Sequence, residues 1–178
     1  MDIDNDTLVT FLGRTHLFHD FRKREVEAIL PYIMLVRAEP NTVIFDQDEE
    51  GDAWYVVLTG KILIARDLNT KKPHELALLK SGDCFGEMAL IDGSPRMAGA
   101  RAKGEVILAR LSRESFEQLL GNDLPLAVRL LRTMAGVLCT RSRELTELME
   151  RVMNQKKGPT NESMDALAKA LTRQVTWN

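Results

Sequence analysis

The spacing of apolar and polar positions changes along the chain and divides it into predicted units. Residues 1–31 carry apolar positions at helical spacing, which predicts a helix over 6–14 and a second helix capped by Asp20 and ended by Pro31. Residues 32–112 instead show short runs rich in β-branched and aromatic residues, separated by turn residues. Two N-terminal helices are therefore expected to precede a β-rich unit.

The β-rich unit contains enough short apolar runs for eight strands. They are predicted over 33–37, 42–45, 54–58, 61–66, 74–79, 83–85, 98–101 and 106–111. Short strands at regular spacing, separated by Gly and Asn turns, favour a closed barrel or a jelly roll. The predicted fold class is α+β: an eight-stranded antiparallel β jelly-roll barrel with flanking N-terminal helices and a long C-terminal helix.

Helical spacing returns over residues 113–154. Ser112 is expected to cap a short helix, and a long helix follows from about Leu124 to Val152. Apolar residues recur every seven positions in the long helix, at Leu131, Leu138, Leu145 and Val152. Met134 and Leu148 fill the intermediate positions, and Arg141 interrupts them. The repeat predicts a two-helix seam and hence a homodimer, with packing of this face on the barrel alone as the alternative.

Residues 155–178 begin with a charged Gly-Pro linker, QKKGPTN, and continue as a small amphipathic helix. Its apolar positions are Met164, Leu167, Ala168, Leu171 and Val175, and it ends near Trp177. About 20 residues are too few for a helix-turn-helix domain with its own core. Direct binding to DNA is therefore not predicted.

Composition and charge narrow the class of protein. The 178 residues carry a formal net charge of −2, which gives no electrostatic reason to expect nucleic acid or an anionic membrane surface as a partner. Apolar runs fall short of a membrane-spanning helix, and the acidic N-terminus does not resemble a signal peptide. A cytoplasmic protein with reduced thiols at Cys84 and Cys139 is the expectation.

The stretch 85–102, FGEMALIDGSPRMAGARA, has the chemistry of a phosphate site. Gly86 opens a short helix predicted to end at Ile91, and the first N–H groups of a helix attract an anion. Arg96 follows a turn and offers a planar charged fork that matches phosphate oxygens. Glu87 is suited to accept a hydrogen bond from a sugar hydroxyl. A phosphate and a sugar hydroxyl together indicate a nucleotide.

The run FGEMAL-x-x-GSPR-x-A resembles the signature of the cyclic nucleotide-binding domain family, over roughly residues 15–150. The resemblance implies that Arg96 binds the exocyclic phosphate oxygens and that Glu87 accepts from the ribose 2′-hydroxyl. It implies a ligand site in residues 85–102, called the cassette below, formed by Phe85, Gly86, Glu87, Met88, Ala89, Arg96, Met97 and Ala98. Asn41 and Asp48 stand where the family commonly has glycine, and both residue types tolerate left-handed backbone.

The base is assigned from one residue beside the phosphate arginine. Family members that prefer cyclic GMP often carry a hydroxyl residue there, whereas this chain has Met97. Cyclic AMP is therefore the predicted ligand, and cyclic GMP is the less favoured one. The resemblance also implies that the long helix contacts the adenine, at Thr140, Arg141 and Ser142.

The function predicted is that of a cyclic-nucleotide sensor which relays binding through its C-terminal helices to an unidentified protein partner. An enzyme is not predicted, because His16, His19 and His74 are scattered and form no pair at metal-ligand spacing. Two alternatives stay open: a transcription-regulator-like protein that acts on DNA only through a partner, and a scaffold that has lost its ligand.

Overall fold

A computed structural model describes residues 3–153 and Ala166. Its strands are β1 Ile33–Ala38, β2 Val43–Phe45, β3 Ala53–Thr59, β4 Lys61–Arg66, β5 His74–Lys80, β6 Cys84–Phe85, β7 Gly99–Ala102 and β8 Val106–Ser112. They form two antiparallel sheets, in the orders β1-β8-β3-β6 and β2-β7-β4-β5. Each predicted strand is present within a residue or two of its expected ends.

The two sheets correct one part of the predicted fold. The mixed α and β class and the antiparallel strands are confirmed, but the eight strands do not close into a single barrel. Short strands account for one edge of each sheet: β6 has two residues and meets β3 only at Tyr55↔Phe85 and Val56↔Cys84, while β2 has three residues. Strands this short offer too few backbone groups to hydrogen-bond a second neighbour.

Strand β3 separates two apolar layers because its side chains alternate between the faces of the sheet. Tyr55 and Val57 point between the two sheets, into a cluster that includes Phe85 and Leu108. The other face of β3 packs against the helices. Its cluster includes Leu12, Phe18, Ile29, Trp54, Val56, Leu111, Phe116, Leu119 and Leu130. Burial on both faces explains why β3 is a nearly continuous apolar run.

The helices are α1 Asn5–Arg14, α2 Lys23–Ile29, α3 Glu87–Asp92, α4 Arg113–Asn122 and α5 Leu124–Met153. Ser112 caps α4 as predicted, since its side chain accepts from the Ser115 N–H at 3.0 Å. The predicted Asp20 cap is wrong. Arg22, in extended backbone, precedes α2, and its N–H donates to the Glu25 carboxylate at 2.7 Å.

Only one face of α5 packs on the body of the protein. Its buried residues are Leu126, Ala127, Leu130 and Met134 in the first half of the helix and Val152 near its end. Met134 therefore belongs to the core and not to the predicted seam. A second, largely apolar stripe, called the outer stripe here, follows alternating spacings of three and four residues: Leu124, Val128, Leu131, Ala135, Leu138, Ser142, Leu145, Met149 and Val152. Within it, Leu131 also packs against the core, and Val152 is buried. Leu124, Val128 and Met149 are exposed, and Leu131, Leu138 and Leu145 are half-buried.

Neither a membrane-spanning helix nor a cluster of metal-ligating side chains is present in the part of the chain that the structure describes, residues 3–153 and Ala166. No helix found there is long and apolar enough to cross a bilayer. No group of three or more His, Cys, Asp or Glu side chains found there is arranged to hold a metal ion. The predicted linker and terminal helix over 155–178 lie outside the described residues, apart from Ala166.

Candidate functional site

The short helix of the cassette is preceded by a glycine, Gly86, where a side chain would be sterically unfavourable. Gly86 follows β6 and precedes α3 with a φ of 84°, in the left-handed region. A Cβ added there would lie 2.7 Å from Arg96 Nη1 and 2.8 Å from the Ala53 carbonyl oxygen. Glycine is therefore required by the backbone conformation and by the close approach of the arginine.

Arg96 lies fully buried beneath this turn. Its Nη2 donates to the Ala53 carbonyl at 2.7 Å, and its Nη1 donates to the Gly86 carbonyl at 3.2 Å. The guanidinium carbon lies 4.1 Å from the centre of the Phe45 ring. Burial lowers the pKa of Arg96 from its usual value. An arginine stays charged at neutral pH even so, and the site therefore holds a desolvated positive charge.

Among the described residues, the Arg96 side chain has capacity left for an anion. Its Nε is buried without a hydrogen-bond partner there. The carboxylate that forms its ion pair, Asp52, stands 3.6 Å from Nη2, beyond hydrogen-bond distance. The Asp52 carboxylate is instead bonded to Arg110, with 2.5 Å between Oδ2 and Nη2. Sequence reasoning missed both Asp52 and Arg110, although strand alternation puts residue 110 on the inward face of β8, next to Leu108.

Glu87, the first residue of α3, is also fully buried. Its Oε1 accepts a hydrogen bond from Nη1 of Arg141, on α5, while its Oε2 is without a partner among the described residues. Burial raises the pKa of Glu87 to about 7, and the neighbouring Arg141 guanidinium opposes that rise. Arg141 Nη2 also donates to the Cys84 carbonyl at 3.1 Å. The long helix is thus bonded to both ends of the Cys84–Glu87 turn.

Cys84 itself is a free, buried thiol, and burial raises its pKa to about 12. Cys139 is likewise a free thiol, exposed on α5. The high pKa keeps Cys84 protonated and unreactive at neutral pH. Cys84 thus matches the expectation of a buried, reduced thiol, whereas Cys139 does not share its burial.

Arg113, at the start of α4, holds the far end of the cassette and was not foreseen. Its Nη2 donates to the Gly51 carbonyl at 2.9 Å and also to the Ala89 carbonyl, and its Nη1 donates to the Leu90 carbonyl at 3.2 Å. These bonds satisfy carbonyls in the last turn of α3. An arginine after a strand carries no sequence signal for such a role.

The structure brings several of the predicted ligand residues together. Gly86, Glu87, Arg96 and Arg141 meet at one site. Thr140 and Ser142 are exposed, and the Thr140 hydroxyl donates to the Gly136 carbonyl of its own helix at 3.0 Å.

The remaining cassette residues lie around this turn. Phe85, Ala89 and Ala98 are buried, whereas Met88 and Met97 are half-buried. A groove of about 1780 Å³ runs between α2, β5 and α5, and its lining includes Leu78, Cys84, Thr140 and Arg141. Among the described residues, the groove thus reaches Cys84, directly before the cassette, without being lined by residues 85–102.

Comparison with known families agrees with this geometry. The family model described as the cyclic nucleotide-binding domain matches residues 35–123, which include β1 to β8 from Leu35 onward and the whole cassette. The chain belongs to the cyclic nucleotide-binding domain family. The family is a regulatory ligand-binding domain and not a catalytic one.

Two curated relatives illustrate the similarity. The chain is 34% identical over 113 residues to the cAMP-dependent protein kinase regulatory subunit of Yarrowia lipolytica, covering 62% of this chain and 29% of the relative. It is 35% identical over 128 residues to the Cyclic AMP receptor protein of Thermus thermophilus, covering 72% of this chain and 57% of the relative. The chain thus spans less than two thirds of the length of either relative.

The architecture also matches a solved structure. A cyclic nucleotide-binding domain from Methylobacillus flagellatus KT superposes with a TM-score of 0.67 at 30% sequence identity, and the match covers 76% of each chain. The match supports the two-sheet arrangement and the helices around it.

Proposed function

We propose that this protein is a sensor that binds cyclic AMP at the cassette and transmits binding through α5. In this proposal Arg96 binds the cyclic phosphate, and Glu87 accepts from the ribose 2′-hydroxyl. Support for the phosphate role comes from the buried, charged side chain of Arg96, which is bonded to neutral carbonyls. A desolvated guanidinium of this kind gains most from a phosphate ligand, because charge-assisted hydrogen bonds replace weaker ones.

Cyclic AMP is proposed over cyclic GMP on two grounds. Met97, next to the phosphate arginine, has no hydroxyl to meet the guanine amino group. The two relatives compared above are named for cyclic AMP. Cyclic GMP remains the alternative ligand, and a direct comparison of the two decides between them.

The main support for transmission through α5 is the hydrogen-bonded ion pair between the Glu87 carboxylate and the Arg141 guanidinium. It joins the cassette to the long helix across 54 positions of sequence. A ribose hydroxyl that approaches Glu87 meets a carboxylate with one oxygen already bonded to α5 and the other without a partner among the described residues. Binding therefore changes the environment of Arg141, and the position of α5 responds to the extent that the ligand favours one arrangement.

The outer stripe of α5 supports the proposed homodimer. Its leucines recur every seven residues at Leu124, Leu131, Leu138 and Leu145, and the intervening positions are Val128, Ala135, Ser142 and Met149. Leucine at one core position suits a two-helix seam, and the β-branched Val128 at the other position is the residue type that two-stranded parallel coiled coils prefer. A 30-residue helix is about 45 Å long, enough for four heptads of contact. In this proposal the paired helices present the signal to a protein partner.

Calorimetric titration of the whole chain with cyclic AMP and cyclic GMP tests the ligand. Saturable binding with tighter affinity for cyclic AMP is expected. Tighter binding of cyclic GMP would overturn the base assignment, and absence of saturable heat with either nucleotide would overturn the sensor.

Hydrogen exchange with and without the tighter ligand tests the relay. Protection is expected to change both in 86–98 and in α5 around Arg141, because the two are bonded. A change confined to 86–98 would mean that the protein binds a nucleotide without moving the helix.

A further inference from the structure

Two arginines share one carboxylate beside the cassette, and the proposed function accounts for only one of them. Asp52 is 60% exposed and lies at the start of β3. Its Oδ1 stands 3.6 Å from Arg96 Nη2, and its Oδ2 lies 2.5 Å from Arg110 Nη2. The carboxylate is therefore hydrogen-bonded to Arg110 and only loosely paired with Arg96.

Arg110 is held in place from a second side. Its Nε donates to the Tyr55 hydroxyl at 3.4 Å, and its side chain is 21% exposed. The Tyr55 ring stacks on Phe85, with centroids 5.0 Å apart and planes 11° from parallel. Since Phe85 directly precedes Gly86, Arg110 is connected through one aromatic stack to the start of the cassette.

The charges of Arg96, Arg110 and Asp52 together favour an anion. The two arginines contribute two positive charges and Asp52 one negative charge, so these three side chains carry one net positive charge, and the nearby carboxylates of Glu49 and Glu87 also favour the charged form of Arg96. The phosphodiester of a cyclic nucleotide carries one negative charge. Without Arg110, the carboxylate is released to pair closely with Arg96, the group becomes neutral, and an anion must compete with Asp52.

We propose that Arg110 is a positioning residue for phosphate binding: it holds Asp52 away from Arg96 and offsets its charge, so that Arg96 is available to the ligand. The inference rests on the proposed function, because it concerns the affinity of the same site for a cyclic nucleotide. Arg110 does not touch the ligand in this proposal and acts only through Asp52.

Titration of three variants of the whole chain with cyclic AMP tests the proposal. Arg110→Gln is expected to weaken binding about tenfold, the size of one lost charge-assisted contact. Arg110→Lys, which keeps the charge, is expected to lose about threefold or less. Asp52→Asn combined with Arg110→Gln is expected to restore affinity to within about threefold of the wild type, because the competing charge is gone. Lys61→Gln removes an exposed cation on β4 and serves as the control for net charge.

A neutral probe separates positioning from loss of structure. Adenosine lacks the phosphate, so its weaker binding, measured by competition or NMR, is expected to be the same in the wild type and Arg110→Gln. Equal loss for adenosine and cyclic AMP, or failure of Asp52→Asn to restore cyclic AMP binding, would overturn the role of Arg110 while leaving the sensor intact. A wild type that binds no cyclic nucleotide would overturn both.

Discussion

The proposed phosphate side of the site, at Arg96, and the proposed sugar side, at Glu87, hold their charges in different ways. Arg96 is fixed by two carbonyls, both from the sheet and turn that surround it. Glu87 is paired with Arg141, on a helix far away in sequence. The phosphate side is therefore built into the sheet, whereas the sugar side depends on where α5 lies. From this difference we expect the phosphate side to supply most of the affinity for the ligand and the sugar side to couple ligand binding to the position of α5.

The largest expected effect comes from removing the charge on the phosphate side. Arg96→Ala is expected to weaken cyclic AMP binding at least about thirtyfold, since truncating one partner of a buried charge pair costs about 2–5 kcal/mol. Isothermal titration measures the loss. Arg96→Lys, which keeps a positive charge, serves as the control and is expected to lose less. Unchanged affinity in Arg96→Ala would remove the phosphate assignment.

The next prediction concerns the proposed homodimer, which would form through α5, the helix that contacts the sugar side. Leu138→Asp with Leu145→Asp places charges on the outer stripe and is expected to halve the mass of the particle measured by sedimentation. Arg143→Asp with Arg151→Asp adds the same side chains at exposed positions off the stripe and is expected to leave the dimer intact. A monomeric wild type at high concentration would contradict the dimer.

Because Arg96 lies close to Gly86, a substitution at Gly86 is expected to lower the stability of the folded protein. Gly86→Ala combines strain at a φ of 84° with a clash against Arg96 Nη1 and the Ala53 carbonyl, and a loss of about 2–4 kcal/mol is expected. Gly104→Ala is the matched control, because its φ is 99° and nothing lies within 4 Å of an added Cβ. Chemical unfolding compares them. Equal losses would mean that the close approach of Arg96 is not a constraint.

The sugar side predicts a pH dependence. The folded-state pKa of Glu87, about 7, lies above the ordinary 4.5, so the folded protein binds the extra proton more tightly. Its contribution to stability is therefore present below about pH 4.5 and falls as pH rises through 7, by about 1–3 kcal/mol. Glu87→Gln lacks this titration. Urea unfolding at pH 5 and pH 8 is expected to show a wild-type loss that the variant does not share, and parallel behaviour would contradict the raised pKa.

The smallest expected effect concerns the ribose. Glu87→Gln is expected to weaken cyclic AMP about three- to tenfold, because the amide oxygen still accepts but the charge assistance is lost. The 2′-deoxy analogue is expected to bind both proteins with nearly equal affinity. If the analogue responds to the substitution as strongly as cyclic AMP does, Glu87 does not contact the 2′-hydroxyl.

The local sequence pattern was sufficient to predict most of the secondary structure of this protein. Alternation and turn residues located all eight strands, helical spacing located α5, and Ser112 was correctly expected as a cap. Asn41 and Asp48, expected to tolerate left-handed backbone, have φ of 69° and 65°. These features depend on neighbours close in sequence, and their physical causes are therefore visible in the sequence itself.

Contacts between distant segments were decided only by the tertiary structure. The sequence could not show that Met134 packs in the core while Val128 stays exposed, because both positions suit an amphipathic helix. It left Arg141 as an interruption of a heptad, whereas folding brings it to Glu87. The bonds from Arg110 to Asp52 and from Arg113 to the end of α3 likewise join residues 58 and 23 or 24 positions apart. Sequence alone fixes which side chains exist and how they repeat, but the partner of a buried charge depends on which strands and helices meet in space.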